Sequence, residues 1–288
     1  MGSWGAGLYQ DDTALDLKNT IALLVQLPAS GDRLLEILLD NHGEAVGLDD
    51  PGGPTFWLVL ADQFERRGIA CPRAFTQALT AIETGADLRD LESRDAGPTD
   101  LRRRAKILTA LATRFRSPRP ARPRPKGARL PPVVVEVGDV YRFPTMRGEG
   151  FNAFYPTWER AGFKPDGWGA LLIVAHGRAF DWFPWCAAAS LTVSASRPPS
   201  LDDATRSRFI STKQGATLIV PRRTHMKKMQ MELLGRLNLD PAKAASVIDR
   251  RYTPQYAVLC GWTFIPQARA WQGSPDGGVP VGQLLAEA

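Results

Sequence analysis

Apolar residues in the first 115 positions recur at three- and four-residue spacing, the period that lines one face of a helix. Ala14, Leu17, Ile21, Leu24 and Val25 keep that period behind Asp11 or Asp12, either of which can cap the helix start. Asp32 opens a second segment through Leu34, Leu35, Leu38 and Leu39, closed near Gly43. Pro54 suits the first turn of a third, with Phe56, Trp57, Leu60 and Phe64 inward and Gly68 at its end. Pro72 starts a fourth, with Phe75, Leu79 and Ile82, closed by Gly85. Leu101, Ile107, Leu108 and Leu111 mark a fifth over residues 99–114. Five short helices predict an all-α helical bundle for residues 1–116.

The pattern then breaks. Residues 117–132 hold six prolines and five basic side chains and no acidic one. Alternating prolines fix φ and remove amide donors, so neither a helix nor a central strand fits, and a semi-extended Pro/Arg-rich linker is expected. Beyond it, residues 133–288 read as a basic, β-rich α+β domain with a mostly antiparallel sheet. Val133-Val134-Val135-Glu136-Val137 predicts a strand, then a Gly138-Asp139 turn, then a strand at Val140-Tyr141-Arg142-Phe143. Leu171 to Ala175, a His176-Gly177 turn and Arg178 to Phe183 predict a hairpin. Further strands are expected at 190–194, 216–220 and 257–265. Two helices interrupt them: one at 223–237, with Met226, Met229 or Gln230, Leu233, Leu234 and Leu237 on its apolar side, and one at 241–249.

Charge sharpens this division. Residues 1–115 carry 17 acidic and 12 basic side chains, a net of −5; the rest carry 13 and 24, a net of +11. Such fields act through steering and partner choice. Cys71, Cys186 and Cys260 stand far apart, an odd count without metal spacing, and predict reduced thiols. No apolar run reaches the roughly 20 residues of a membrane span, and Met1-Gly2-Ser3-Trp4-Gly5 lacks the pattern of a signal peptide. A cytoplasmic protein without a membrane partner is expected.

Met1-Gly2-x-Trp4-Gly5-x-Gly7 followed by Asp11-Asp12-x-Ala14-x-Asp16 resembles the opening of an uncharacterised bacterial helical domain family of polymorphic toxin–immunity loci. Pro54-Thr55-Phe56-Trp57-Leu58-x-Leu60-Ala61-Asp62-Gln63 is similar to that family's second signature, and Ala78, Ile82, Gly85, Asp87 and Leu88 to its third. Phe64 and Leu91 depart from it where tryptophans are expected. Gly138-Asp139-Val140-Tyr141-Arg142-Phe143-Pro144 is similar to the first strands of β-rich immunity-type domains. Together these resemblances imply an immunity protein that neutralises the C-terminal domain of a cognate toxin by occupying its surface, with no catalytic residue.

The candidate chemistry agrees with a binding role. His42, His176 and His225 share no metal-ligand or base spacing, so no metal or cofactor is expected. Asp12 and Asp16 share a helix face but read first as capping charge, and Asp49-Asp50-Pro51-Gly52-Gly53 reads as a turn. Gly5/Gly7 and Arg147-Gly148-Glu149-Gly150 lack the setting of a phosphate loop and read as backbone turns. An acidic docking face for the toxin would use Asp11, Asp12, Asp49, Asp50, Glu83, Asp87, Asp90 and Glu92. Trp168, Phe180, Trp182, Phe183 and Trp185 read as sheet core, with Trp182 and Trp185 as interface anchors where exposed. Two other readings stay open. One is an enzyme using Asp139 or His176. The other is a nucleic-acid-binding protein using the linker arginines and Arg222-Arg223-x-x-x-Lys227-Lys228, although no aromatic residues interleave with these cations along the sequence.

Overall fold

The computed structural model describes residues 5–42, 46–123, 129–210, 215–262 and 278–287, with the side chain of His42 outside that description. The chain falls into two compact units, residues 1–129 and 130–288.

Among its described residues the first unit is helical: α1 (Asp12–Leu24), α2 (Gly31–His42), α3 (Gly53–Arg67), α4 (Pro72–Glu83), α5 (Ala86–Glu92) and α6 (Pro98–Arg116). Asp11 is the cap of α1, its Oδ1 accepting from the Ala14 amide at 3.1 Å, and Ala14, Leu17, Ile21 and Leu24 are buried as the spacing predicts. The middle of the unit is α3, buried on all sides from Gly53 to Glu65. Pro54 stands in its first turn, and Gly68 ends it in the left-handed region at φ 64°. Removing Leu58, Leu60 and Phe64 from water stabilises the unit by roughly 1.5–3 kcal/mol per side chain. Gly31 is required by proximity, since a Cβ there would lie 2.1 Å from the Ala70 carbonyl oxygen.

Five helices were expected and six are found. The additional α5 is only seven residues long, and left-handed Gly85 (φ 70°) sets it off from α4. The expected linker also differs. Its first residues run back along the helical unit: the Arg122 amide donates to the Gly68 carbonyl (2.8 Å) and Arg119 Nε lies 3.2 Å from Glu65 Oε1.

The second unit is built on an antiparallel sheet. Its strands are β1 (Asp139–Met146), β2 (Glu149–Gly150), β3 (Gly167–Ala179), β4 (Phe183–Leu191), β5 (Thr217–Ile219) and β6 (Glu232–Arg236). The order is β2-β1-β3-β4-β5, with β6 beside β2 on the free edge of β1. Alternation along the strands sends Val140, Leu172, Val174 and Ala189 to one face and Tyr141, Phe143, Leu171 and Ile173 to the other. Helices α8 (Leu201–Arg206), α10 (Pro241–Ser246) and α11 (Pro254–Leu259) cover the first face through Ala204, Ala244 and Ala257. Val135, Phe151, Phe163 and Met229 cover the second, which also carries α7 (Trp158–Ala161) and α9 (Arg223–Lys228). Both faces are dry, so β3 is apolar over a continuous stretch.

Several sequence expectations are corrected here. Residues 133–137 form no strand, because Asp139 Oδ2 accepts from the Glu136 amide (2.8 Å) and bends the chain into a turn. The β3–β4 hairpin exists, but its turn is Phe180-Asp181 and not His176-Gly177. Both turn residues are left-handed (φ 54° and 53°), and the Trp182 amide donates to the Ala179 carbonyl at 3.1 Å. Gly177 is a strand residue facing Trp185, whose indole lies 3.0 Å from where a Cβ would stand. The helix expected at 223–237 stops at Lys228: Gln230 turns left-handed (φ 52°), and Leu233 and Leu234 belong to β6. Residues 257–262 begin in helix α11, capped by Thr253 Oγ1 on the Tyr256 amide (3.1 Å), while 263–265 lie outside the described residues. Of 190–194, only the first two belong to a strand, the end of β4.

Candidate functional site

Polar side chains of the helical unit are drawn inward by α3. Asp62, fully buried, takes Arg66 Nε at 2.8 Å and Arg114 Nη1 at 2.9 Å and accepts a hydrogen bond from the Tyr9 hydroxyl. Gln63 donates to that same hydroxyl and holds Arg67, while Glu65 binds Arg114 and Arg119. Burial, then the hydrogen bond to Asp62 and its charge, push the Tyr9 phenol well above its ordinary range. The network therefore keeps its proton on Tyr9 and its charges compensated, a structural arrangement. It joins residues from the chain start, α3 and α6, more than 50 positions apart, so spacing along the sequence offered no signal for it.

Beside it lies an open groove of about 560 Å³, lined by Ile69, Cys71, Pro72, Phe75, Leu79 and Phe115, with Glu65 and Arg119 on its polar rim. Its size and lining suit an apolar side chain or small molecule. Cys71 is a poor nucleophile there, because burial pushes its thiol up to about 11.

The eight acidic residues expected on a docking face do not form one face. Asp87 is buried and gripped by Arg104, and Asp11 is buried as a helix cap paired with Arg94 at 2.5 Å. These two are corrections: neither side chain is open to a partner. Glu83 is exposed and paired with Arg116 at 2.9 Å, Asp12 is half-buried in the first turn of α1, and Glu92 is exposed. Asp49, Asp50 and Asp90, together with Arg89, line a small cleft of about 190 Å³ between the loop before α3 and the helix α5. Within it Asp50 Oδ2 accepts from the Gly47 amide (2.7 Å), and Asp90 accepts from the Gly52 amide (3.2 Å) and binds Arg94 (2.7 Å). Asp49 is exposed. The 47–53 segment is the turn its sequence predicts, and Arg147-Gly148 is the turn between β1 and β2.

In the second unit, Asp139 is a staple: Oδ1 takes Arg236 Nε at 2.8 Å, and Oδ2 holds the Glu136 amide and the Tyr141 hydroxyl (3.3 Å). Burial first, and then the Asp139 charge, raise the Tyr141 phenol. His176 Nε2 lies 3.2 Å from Glu136 Oε2, on a strand and not in a turn. Trp182 and Trp185 are both half-buried; Trp182 follows the hairpin turn, its carbonyl accepting from Arg178 (2.8 Å), and Trp185 packs on the sheet core. Among the described residues no three His, Cys, Asp or Glu side chains gather as metal ligands. Nor is any helix among them long and apolar enough to cross a membrane. No family model, curated protein or solved structure matches this chain.

Proposed function

We propose that the protein is an immunity-type inhibitor that binds the C-terminal domain of a cognate bacterial toxin one-for-one and blocks it by covering its surface. The resemblance of residues 1–115 to a helical domain family of toxin–immunity loci motivates the reading. The observation that best supports it is the acidic corner of the helical unit, where Asp49, Asp50 and Asp90 meet around one cleft. Asp62, Glu65 and Asp87 are buried and paired with arginines, whereas Asp49 and Glu92 face solvent. An acidic corner complements the basic cleft of a toxin that acts on nucleic acid or nucleotides, and speeds encounter with it.

The test is a titration of the cognate toxin domain with this protein. Inhibition reaching its end point near equimolar, with co-elution of a stable complex burying roughly 1,200–2,000 Å², is the expected outcome. Protection at a small fraction of the toxin concentration would replace binding with catalysis.

A further inference from the structure

We propose that the second unit carries a platform for single-stranded nucleic acid, in which Phe154 and Tyr155 stack bases while Arg222, Arg223 and Lys227 take the phosphates. The inference goes beyond toxin binding and uses no residue of the helical unit.

Along the sequence these aromatic and basic groups are almost 70 residues apart; the fold brings them together. Phe154 lies edge-on to His225 of α9, with ring centroids 5.2 Å apart. From the same helix Lys228 reaches back, its Nζ donating to the carbonyls of Ala153 (3.0 Å) and Tyr155 (3.1 Å). Trp158 Nε1 donates to the Lys228 carbonyl at 2.8 Å, closing the clasp. The aromatic segment is also tied within itself, by the Phe154 amide on Asn152 Oδ1 (3.1 Å) and the Tyr155 amide on the Asn152 carbonyl (3.0 Å). The rings are thus held in place before any partner arrives, which lowers the ordering cost of binding.

Held this way, Phe154 remains 65% exposed and Tyr155 47% exposed. Folding gains little from an exposed phenylalanine next to an exposed tyrosine, whereas a base gains a flat surface on which to stack. Arg222, the exposed N-cap of α9, lies close enough to His225 for its charge to act on that ring. Arg223 and Lys227, four apart, share the adjoining side and are exposed. Among the described residues no carboxylate pairs with Arg222, Arg223 or Lys227, in contrast to Arg142, Arg197, Arg236 and Arg251 of the same unit. Free cations beside bare rings match a strand that offers both phosphates and unpaired bases. An acidic peptide would satisfy the cations but leave the rings unused, and a duplex would hide its base faces.

The test uses the full chain and fluorescent oligothymidylate and oligouridylate of about 12 nucleotides, a length within the usual single-strand site size. Anisotropy is followed across a salt series, with duplex DNA, polyglutamate and anionic vesicles as competitors. Expected are preference for single strands over all three competitors and a fall in affinity with salt. The variant Arg222→Gln/Arg223→Gln/Lys227→Gln should flatten the log–log salt slope by about 2, near 0.7 for each phosphate no longer neutralised. Phe154→Leu/Tyr155→Leu keeps an apolar cover over His225 and should weaken binding about tenfold per ring at unchanged slope. Circular dichroism and melting of each variant confirm its fold. Equal binding to duplex, polyglutamate or vesicles, indifference to the leucine pair, or no binding at low salt would overturn the platform.

Discussion

Arg104 grips Asp87 through two parallel hydrogen bonds, Nε to Oδ2 and Nη2 to Oδ1, both 2.7 Å, with the two side chains 5% and 1% exposed. The pair ties α6 to α5, and Arg104 Nη1 adds a longer bond of 3.5 Å to the Ala6 carbonyl near the chain start. In sequence Asp87 reads as one of the carboxylates of an acidic docking face. In the fold it is a buried charge whose neutralisation depends on one partner.

Breaking the pair from one side should therefore be costly. Asp87→Leu or Arg104→Met alone each leaves an uncompensated buried charge and should lower unfolding free energy by about 3–5 kcal/mol. Asp87→Leu combined with Arg104→Met removes both charges and should recover most of that loss. Urea melts of the four proteins form the double-mutant cycle. A double variant as unstable as the sum of the singles would show that packing, not charge, is the larger contribution.

The start of the linker belongs to the helical unit in energy as well as in position. A fragment of residues 1–129 keeps the Arg122 amide on Gly68 and Arg119 on Glu65; one ending at residue 116 loses both. One net backbone hydrogen bond and one largely exposed ion pair together contribute about 1–2 kcal/mol. The longer fragment should melt higher by that amount, each fragment unfolding in one cooperative step alongside a separately folding 130–288. Identical melts would mean that residues 117–123 are a passive spacer.

The physical difference between short-range and long-range signals decides what could be read from the residues alone. Period and caps are local, so α1 through its Asp11 cap, α3 between Pro54 and Gly68, and the apolar run Leu171–Ala175 of β3 were legible. β6 was not. Leu233, Leu234 and Leu237 keep helical spacing, and what puts Leu233 and Leu234 in a strand is the antiparallel partner Asp139–Arg142, some 90 residues earlier, with left-handed Gln230 breaking the helix. The hairpin turn was misplaced for a similar reason: Gly177 signals a turn in isolation, but the indole of Trp185 across the sheet needs that glycine. Of the acidic docking candidates, the sequence supplied the charge but not its use. Asp11 and Asp87 found internal partners, while the Tyr9–Asp62–Arg114 network and the pairing of Phe154 with α9 depend on contacts that only the folded chain creates.

His225 sets an acid sensitivity for the second unit. It is buried, its Nδ1 has no hydrogen-bond partner among the described residues, and burial, followed by the charges of Arg222 and Lys228, lowers its pKa below the ordinary 6.5. The fold thus prefers the neutral ring, whereas the unfolded chain takes a proton near 6.5. The contribution is whole above that value and is lost as pH falls through it toward the folded pKa. Asp203 and Asp249, held below their ordinary 3.8 chiefly by bonds from Arg197 and Arg251, lose their contribution only at lower pH, beneath 3.8. Melting temperature of the second unit should therefore decline between about pH 7 and pH 5. His225→Phe should remove that decline while leaving any loss below pH 4 in place. An unchanged pH profile in the variant would assign the acid response to other groups.

Association with the toxin domain offers the sharpest check on the acidic corner, because its residues differ in what else they do. Asp50 and Asp90 hold the amides of Gly47 and Gly52, so reversing their charge disturbs the turn itself and confounds any binding result. Asp49 and Glu92 are exposed and suit a clean electrostatic test. Asp49→Lys/Glu92→Lys changes the net charge of residues 1–115 from −5 to −1 while leaving the core and caps intact, so melting should change by less than about 0.5 kcal/mol. If this corner faces the toxin, the association rate should fall by roughly tenfold at low ionic strength, with dissociation little altered, as expected for steering by rim charges. The deficit should shrink as salt is raised, since exposed charges are screened within about 8–10 Å at physiological ionic strength. Stopped-flow measurement at several salt concentrations separates the outcomes. A fall confined to dissociation would place these side chains in tight contact with the toxin rather than at the rim. An unaffected rate at every salt concentration would move the docking face off this corner.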